Sequence, residues 1–323
     1  MEVRHLKRLW SRVRKQRETG LPAEEGSPDW CPDNTLLCGL GLSLHETLRY
    51  LYSESPSFAT FEQWVLEING GAIDAGRIER LNAALAGTLP EHGEPVEPVL
   101  TAEDLAFFDE HGYVILHDAV PTEVRAEAER AVWEWVGGDP EHPETWYGGP
   151  HGHSIWVPLL HHPAQRAVRE SRRIFAAFAQ LWGRTDLWAT TDQAGFNPPE
   201  RADWPFPGPR LHWDMSLERP VCFGLQGILY LSDTGANQGA FTCVPGFHRQ
   251  IEDWLRQLPP GTDPRQQDLA ALGAIPVAGR AGDLVIWHQA LPHGSSPNHS
   301  LRPRIVQYVT LRPTRWERTV KWK

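Results

Sequence analysis

The chain reads as an α+β protein whose β core lies in its C-terminal half. From about residue 187, short runs of β-branched and aromatic residues alternate with Gly, Pro, Asn and Asp turns: 187–197, Cys222 to Leu231, Ala240 to Val244, Ala274 to Val277, Asp283 to His288 and Arg304 to Leu311. Many short strands between turn signals predict a β sandwich or barrel. Upstream, apolar residues recur at three- and four-residue spacing, the period of a helix. Residues 87–99 are rich in Pro, Gly and Glu and predict a linker. It separates a helical N-terminal extension, residues 1–95, from a second domain, residues 96–323.

The extension opens with Val3 to Arg17, where Leu6, Leu9, Trp10 and Val13 share a helix face among seven Lys and Arg. Such a face either packs on the body or meets a membrane surface or nucleic acid. A loop is expected from Gly20 to Asn34. Ser43 then caps a helix with Glu46 as its acidic partner, and further helices follow at Phe61 to Ile68 and Ala75 to Leu85. The second domain begins with a capping pattern at Thr101, a strand from Tyr113 to Leu116 and a helix from Thr122 to Val136. Residues 138–163 read as irregular. Their His151, His153, His161 and His162 match no ligand spacing and read as loop histidines rimming a pocket. A helix from Arg166 to Leu181 precedes a strand from Leu187 to Asn197.

A chain of 323 residues with 41% hydrophobic content can bury a sizeable core. The 15 tryptophans divide between core packing and pocket walls. A formal net charge of −10 argues against nucleic acid as a partner. Cys31, Cys38, Cys222 and Cys243 form no CxxC pair, so neither a disulfide framework nor a zinc finger is expected. With no membrane-length apolar run and no secretory leader in residues 1–17, the expectation is a cytoplasmic protein without membrane insertion.

The chemistry centres on Arg210-Leu211-His212-Trp213-Asp214. In extended backbone, side chains two apart share a side, so His212 and Asp214 converge while Trp213 turns away to pack. One imidazole and one carboxylate make half a metal site. His293, expected on a loop between two strands, would complete two His and one carboxylate on one face of an ion, a set suited to ferrous iron with positions left for dioxygen and a co-substrate.

His212-Trp213-Asp214, then Val244 to His248, then Gly282 to His288, then His293 to Asn298 and Arg302-Pro303-Arg304 occur in an order that resembles the phytanoyl-CoA dioxygenase family of Fe(II)- and 2-oxoglutarate-dependent oxygenases. Residues 100–116 are similar to the opening of that family's catalytic domain, and the resemblance covers about residues 100–312. It implies a double-stranded β-helix (jelly roll, cupin-like) flanked by helices, with His212, Asp214 and His293 holding Fe(II). It also implies 2-oxoglutarate and O2 as co-substrates. The far carboxylate of 2-oxoglutarate needs a fixed cation. In the family this arginine lies eleven residues after the distal His, which selects Arg304 on its strand over Arg302, expected to pair at the surface. Ser295 either hydrogen-bonds the co-substrate or forms a turn. Gln193 and Asn197 are expected to face the co-substrate, although many members have Lys near Asn197. His288, His248 and His299 are read respectively as a pocket-wall or hydrogen-bonding residue, as turn structure and as solvent-exposed. The implied reaction is hydroxylation of an unactivated C–H bond of a small molecule (amino-acid-like, acyl or secondary metabolite) with release of succinate and CO2. Asp214 argues against the related halogenases. Desaturation, epoxidation and cyclisation use the same ligands, a jelly-roll binding protein without turnover is a second class, and a modifier recruited to a macromolecule through the basic helix is a third. The extension reads as a cap, an oligomer contact or a substrate-positioning element. No oligomeric state follows.

Overall fold

The computed structural model describes residues 2–20 and 30–316. Ten helices and eleven strands are described, in the order α1 (Leu6–Thr19), α2 (Trp30–Leu40), α3 (Leu44–Glu54), α4 (Phe58–Ile68), α5 (Ala75–Ala86), α6 (Ala102–His111), β1 (Tyr113–Leu116), α7 (Thr122–Val136), β2 (Trp156–Val157), α8 (Pro163–Arg169), α9 (Arg172–Trp182), β3 (Leu187–Ala189), β4 (Ala194–Asn197), β5 (Leu225–Tyr230), β6 (Phe241–Cys243), α10 (Ile251–Gln257), β7 (Ile275–Val277), β8 (Leu284–His288), β9 (His293–Ser295), β10 (Arg304–Tyr308) and β11 (Leu311–Pro313). The architecture is α+β with antiparallel sheets. None of these helices is long and apolar enough to cross a membrane, and all four cysteines are free thiols.

A six-stranded sheet runs β1-β8-β5-β10-β4-β2, and a three-stranded sheet runs β7-β6-β9. The two-residue period of strands assigns each large-sheet side chain to a face. Leu229, Leu284, Ile286 and Ile305 pack with Ala131, Val132, Ile174 and Phe178 of α7 and α9. Ile228, Tyr230, Val285, Trp287 and Val306 face the other way and pack with Phe241 and Cys243 of the small sheet. Helices thus cover one face of the large sheet and the small sheet covers the other.

A third core joins Leu6, Leu9 and Val13 of α1 with Leu36, Leu40, Phe61 and Leu81 and with Trp188 of β3. The stripe of the basic N-terminal helix is therefore spent on packing within the protein. Burying four such Leu and Phe side chains contributes about 1.5–3 kcal/mol each. At Gly39 a Cβ would lie 2.5 Å from Leu81, so glycine permits the close approach of α2 to α5.

Several expectations are corrected. The expected loop to Asn34 is helical from Trp30; residues 21–29 of that loop lie outside the described residues. Pro32 sits in the first turn of α2, where it is tolerated. Ser43 precedes α3 but its side chain makes no cap bond, and Glu46 reaches His161 instead. The helix expected over 166–181 is two, because Ser171 caps a new start for α9. The strand expected over 187–197 is also two, β3 pairing with β11 and β4 with β10 and β2. The irregular 138–163 segment contributes edge strand β2. At Thr101 the expected cap forms as a full box with Asp104.

Candidate metal centre

The centre forms where the H-x-D segment crosses the start of β9. His212 and His293 face each other as a bridge, the amide N of each donating to the carbonyl O of the other at 2.9 and 3.0 Å. His293, expected on a loop, is the first residue of β9 and only 4% exposed. Gly294 makes this approach possible, since a Cβ there would meet the Arg210 carbonyl oxygen at 2.8 Å. Trp213 turns away as expected: it is buried, donates Nε1–H to the Ala290 carbonyl at 2.9 Å, and packs on Phe247 and Trp254.

The ligand atoms of His212, Asp214 and His293 lie within 4.8 Å of one another, and among the described residues no other group of His, Cys, Asp or Glu has such geometry. His212 Nδ1 is 2.7 Å from the Arg210 carbonyl and His293 Nδ1 is 3.0 Å from the Leu291 carbonyl. A carbonyl only accepts, so both Nδ1 atoms carry the proton and each neutral ring presents an Nε2 lone pair. Those Nε2 atoms stand 3.3 Å from Asp214 Oδ1 and Oδ2 respectively. Lone pairs facing a carboxylate repel unless a cation lies between them. A shared ion bonded at about 2.1 Å places neighbouring donors about 3 Å apart, which this spacing fits. The carbonyl-held tautomers are the outer support such ligands need.

Without an ion the charges adjust. Burial disfavours the Asp214 carboxylate, but hydrogen bonds from His212 and His293 outweigh it and hold the carboxyl well below its usual range. Burial pulls His212 down, yet Asp214 and the Arg210 carbonyl leave its pKa raised. Gln226 of β5 donates to Asp214 Oδ2 at 2.8 Å. Sequence reasoning missed Gln226, and only its inward strand position could have flagged it.

The triad opens into a cavity of about 360 Å³ whose wall includes Gln193, Ser295, Phe241, Trp287 and Tyr308. Arg304 is fully buried behind Ser295; its Nη1 donates to Ser295 Oγ at 3.0 Å, while Nε and Nη2 have no partner. Asn197 is placed differently: fully buried, its amide donates to the Ser296 carbonyl at 3.2 Å and packs against Gly239, outside the cavity wall. Arg302 pairs at the surface with Glu141. His288 packs against His248, and burial pushes its pKa down to about 3. His151 is buried beside Trp135 and Phe196, His153 meets the Pro205 carbonyl, His161 meets Glu46 and His162 caps α8. The loop histidines therefore assemble no second site.

The cavity also takes residues that no motif announced. His45 of α3, Asp192 and Arg312 line it. An adjoining cavity of about 470 Å³ shares these three and Asp214, and is walled by Asn34 and Leu37 of α2. The N-terminal helices thus form part of the space in front of the triad.

Comparison with known proteins gives the following. A 104-residue segment is 32% identical to a Dictyostelium discoideum protein named "Putative phytanoyl-CoA dioxygenase", covering 31% of this chain and 30% of that protein. Among solved structures, the chain is similar to EctD from S. alaskensis with bound Fe (TM-score 0.49, 19% identity, 71% of this chain and 83% of that one). It is also similar to the non-heme alpha ketoglutarate dependent epimerase SnoN from nogalamycin biosynthesis (TM-score 0.48, 17% identity, 65% and 82%). The family model Phytanoyl-CoA dioxygenase (PhyH) matches residues 108–306, well over half of the chain. The chain spans under a third of the length of the curated relative it matches, and the family model shows that the protein belongs to the phytanoyl-CoA dioxygenase family.

Proposed function

We propose that this enzyme hydroxylates an unactivated C–H bond of a small amino-acid-like, acyl or secondary-metabolite substrate, releasing succinate and CO2. His212, Asp214 and His293 hold Fe(II) in this reading. When bound, the iron supplies dioxygen activation coupled to oxidative decarboxylation of 2-oxoglutarate. The observation that carries the proposal is the pair of carbonyl-fixed imidazoles presenting Nε2 lone pairs to one carboxylate.

The remaining roles belong to the chain's own side chains. Arg304 and Ser295 receive the far carboxylate of 2-oxoglutarate: a fully buried guanidinium with unpartnered donors is supported best by an anion. Gln193 faces the same co-substrate from the cavity wall. Asn197 braces Ser296 and so steadies the end of β9. Substrate sits towards Asp192 and Arg312, below His45. The sheets are read as a double-stranded β-helix spanning 96–323, with residues 1–95 as a separate helical unit that walls the substrate space. Free thiols favour the cytoplasm.

The test is anaerobic. Fe(II) and then 2-oxoglutarate are added to metal-free protein while the weak visible charge-transfer band of a chelated keto acid is followed. The band should form in the wild type, vanish in Asp214→Ala and need far more 2-oxoglutarate in Arg304→Ala. Absence of the band and of iron binding in the wild type would return the chain to the class of jelly-roll binding proteins.

A further inference from the structure

On a different part of the molecule, α2 and α5 of the N-terminal bundle meet α8 and α9. A cavity of about 480 Å³ there is lined by Arg77, Arg80, Arg166, Arg169 and Arg172, with Glu170 its only acidic lining residue among those described. Five guanidiniums gather here in a chain of net charge −10. None of the five makes an ion pair with a carboxylate among the described residues; Glu170, Asp74, Asp186 and Asp192 act on them only at longer range.

Four of the five are held by single backbone carbonyls. Arg77 Nε donates to Gly39 O at 2.7 Å, Arg80 Nη2 to Leu187 O at 3.0 Å, Arg166 Nη2 to Ile68 O at 3.1 Å and Arg169 Nη2 to Leu160 O at 2.7 Å. Arg80 also lies 4.1 Å over the Trp188 ring. Each contact fixes a planar fork while engaging one of its five N–H groups. Arg169 Nη1 is buried and unpartnered. Burial, and then the like charge of Arg166, hold Arg77 below its ordinary pKa, and burial pushes Arg169 down to about 10. Both remain cations near neutrality, so the crowding persists and an anion would relieve it. The rim adds the N-terminus of the eleven-residue α9, where Ser171 and Arg172 line the cavity.

We propose that this cavity is a binding site for a multiply charged phosphate anion, distinct from the metal centre. Several planar forks favour tetrahedral phosphate oxygens, each able to accept from more than one guanidinium. A cavity of about 480 Å³ has room for a diphosphate unit and an attached group.

The experiment titrates full-length protein with pyrophosphate by calorimetry, in parallel with the tricarboxylate tricarballylate, and follows thermal unfolding in both. Saturable one-to-one pyrophosphate binding that raises Tm, with tricarballylate at least tenfold weaker, is expected. Arg77→Gln and Arg169→Gln should each weaken pyrophosphate about tenfold or more, whereas Arg130→Gln on the exposed face of α7 should leave it unchanged. Because Arg77 also secures the end of α2 and Arg169 the loop before α8, the exposed rim variant Arg172→Glu supplies a charge reversal that leaves the packing intact; it too should weaken binding at least tenfold. No saturable binding, equal affinity for tricarballylate, or undiminished affinity in Arg172→Glu would overturn the proposal.

Discussion

Gly294→Ala tests whether the metal ligands are held by backbone proximity. No positive φ constrains Gly294, so alanine is admissible to its own backbone and the effect comes from contact alone. The new Cβ would stand 2.8 Å from Arg210 O, 3.0 Å from Arg210 C and 3.2 Å from Leu211 N. All three are backbone atoms and cannot rotate aside, so the 210–212 segment must retreat by about 0.6 Å to reach ordinary contact. That movement strains the paired His212 and His293 hydrogen bonds, worth about 1 kcal/mol each, and overpacking costs about 1–3 kcal/mol. The two imidazoles separate by a similar fraction of an ångström. Iron affinity is expected to fall about 10–100-fold and kcat by up to about 100-fold, with a modest loss of Tm. Anaerobic Fe(II) titration monitored by the 2-oxoglutarate band, alongside calorimetric unfolding, measures both. A variant with wild-type iron affinity and activity would refute the claim that this crossing sets the ligand geometry.

Arg304→Met should raise the KM for 2-oxoglutarate at least about tenfold per lost charge-assisted hydrogen bond while iron binding without 2-oxoglutarate stays near wild type; a kcat-only effect would count against the clamp. Gln226→Leu removes the donor to Asp214 and should weaken iron about tenfold, measured by competition with a chelator. Asp192→Asn and Arg312→Gln should raise the substrate KM without altering the 2-oxoglutarate KM, and an unchanged substrate KM would remove both from the substrate wall. In metal-free protein the raised His212 value means that its pairing with Asp214 stabilises fully below the ordinary histidine range near pH 6.5 and is lost as pH rises through the raised value. His288, depressed to about 3, acts oppositely: stability falls as pH drops from about 6.5 towards 3, because the unfolded chain takes up a proton that the fold refuses. Melting curves across pH should show both limbs, and His288→Phe should flatten the acid one.

The convergence of His212, Asp214 and His293 and the placement of Arg304 beside Ser295 were legible because each belongs to a short motif whose spacing has a chemical reason. Strands β1, β5 and β8 were legible because they are bounded by Gly, Asp or Pro and carry inward residues at every second position. Helix α2 was not, since Asn34, Thr35, Leu36, Leu37, Gly39 and Leu40 are all buried and a helix covered on every side shows no apolar stripe. The breaks between α8 and α9, and between β10 and β11, depend on local capping and on partner strands that no window of sequence contains. Gln226, His45, Asp192 and Arg312 escaped notice because they reach the triad through tertiary packing, from positions that carry no motif of their own. Asn197 was misplaced for the converse reason: strand alternation set its side but not the closeness of Gly239 and Ser296, which claim its amide.

The placement of His45, Asn34 and Leu37 around the reaction space divides the labour of the chain. The groups proposed to handle iron and 2-oxoglutarate lie after residue 190, on β9, β10 and the segments beside them, whereas much of the opposing wall comes from residues before 50. On the proposed reading, changes in α2 and α3 reshape what is admitted without disturbing the ligand set, leaving substrate preference free to diverge while the oxidative chemistry stays the same. A designer would find the same separation useful: a library confined to those two helices samples new substrates on an intact oxidising centre.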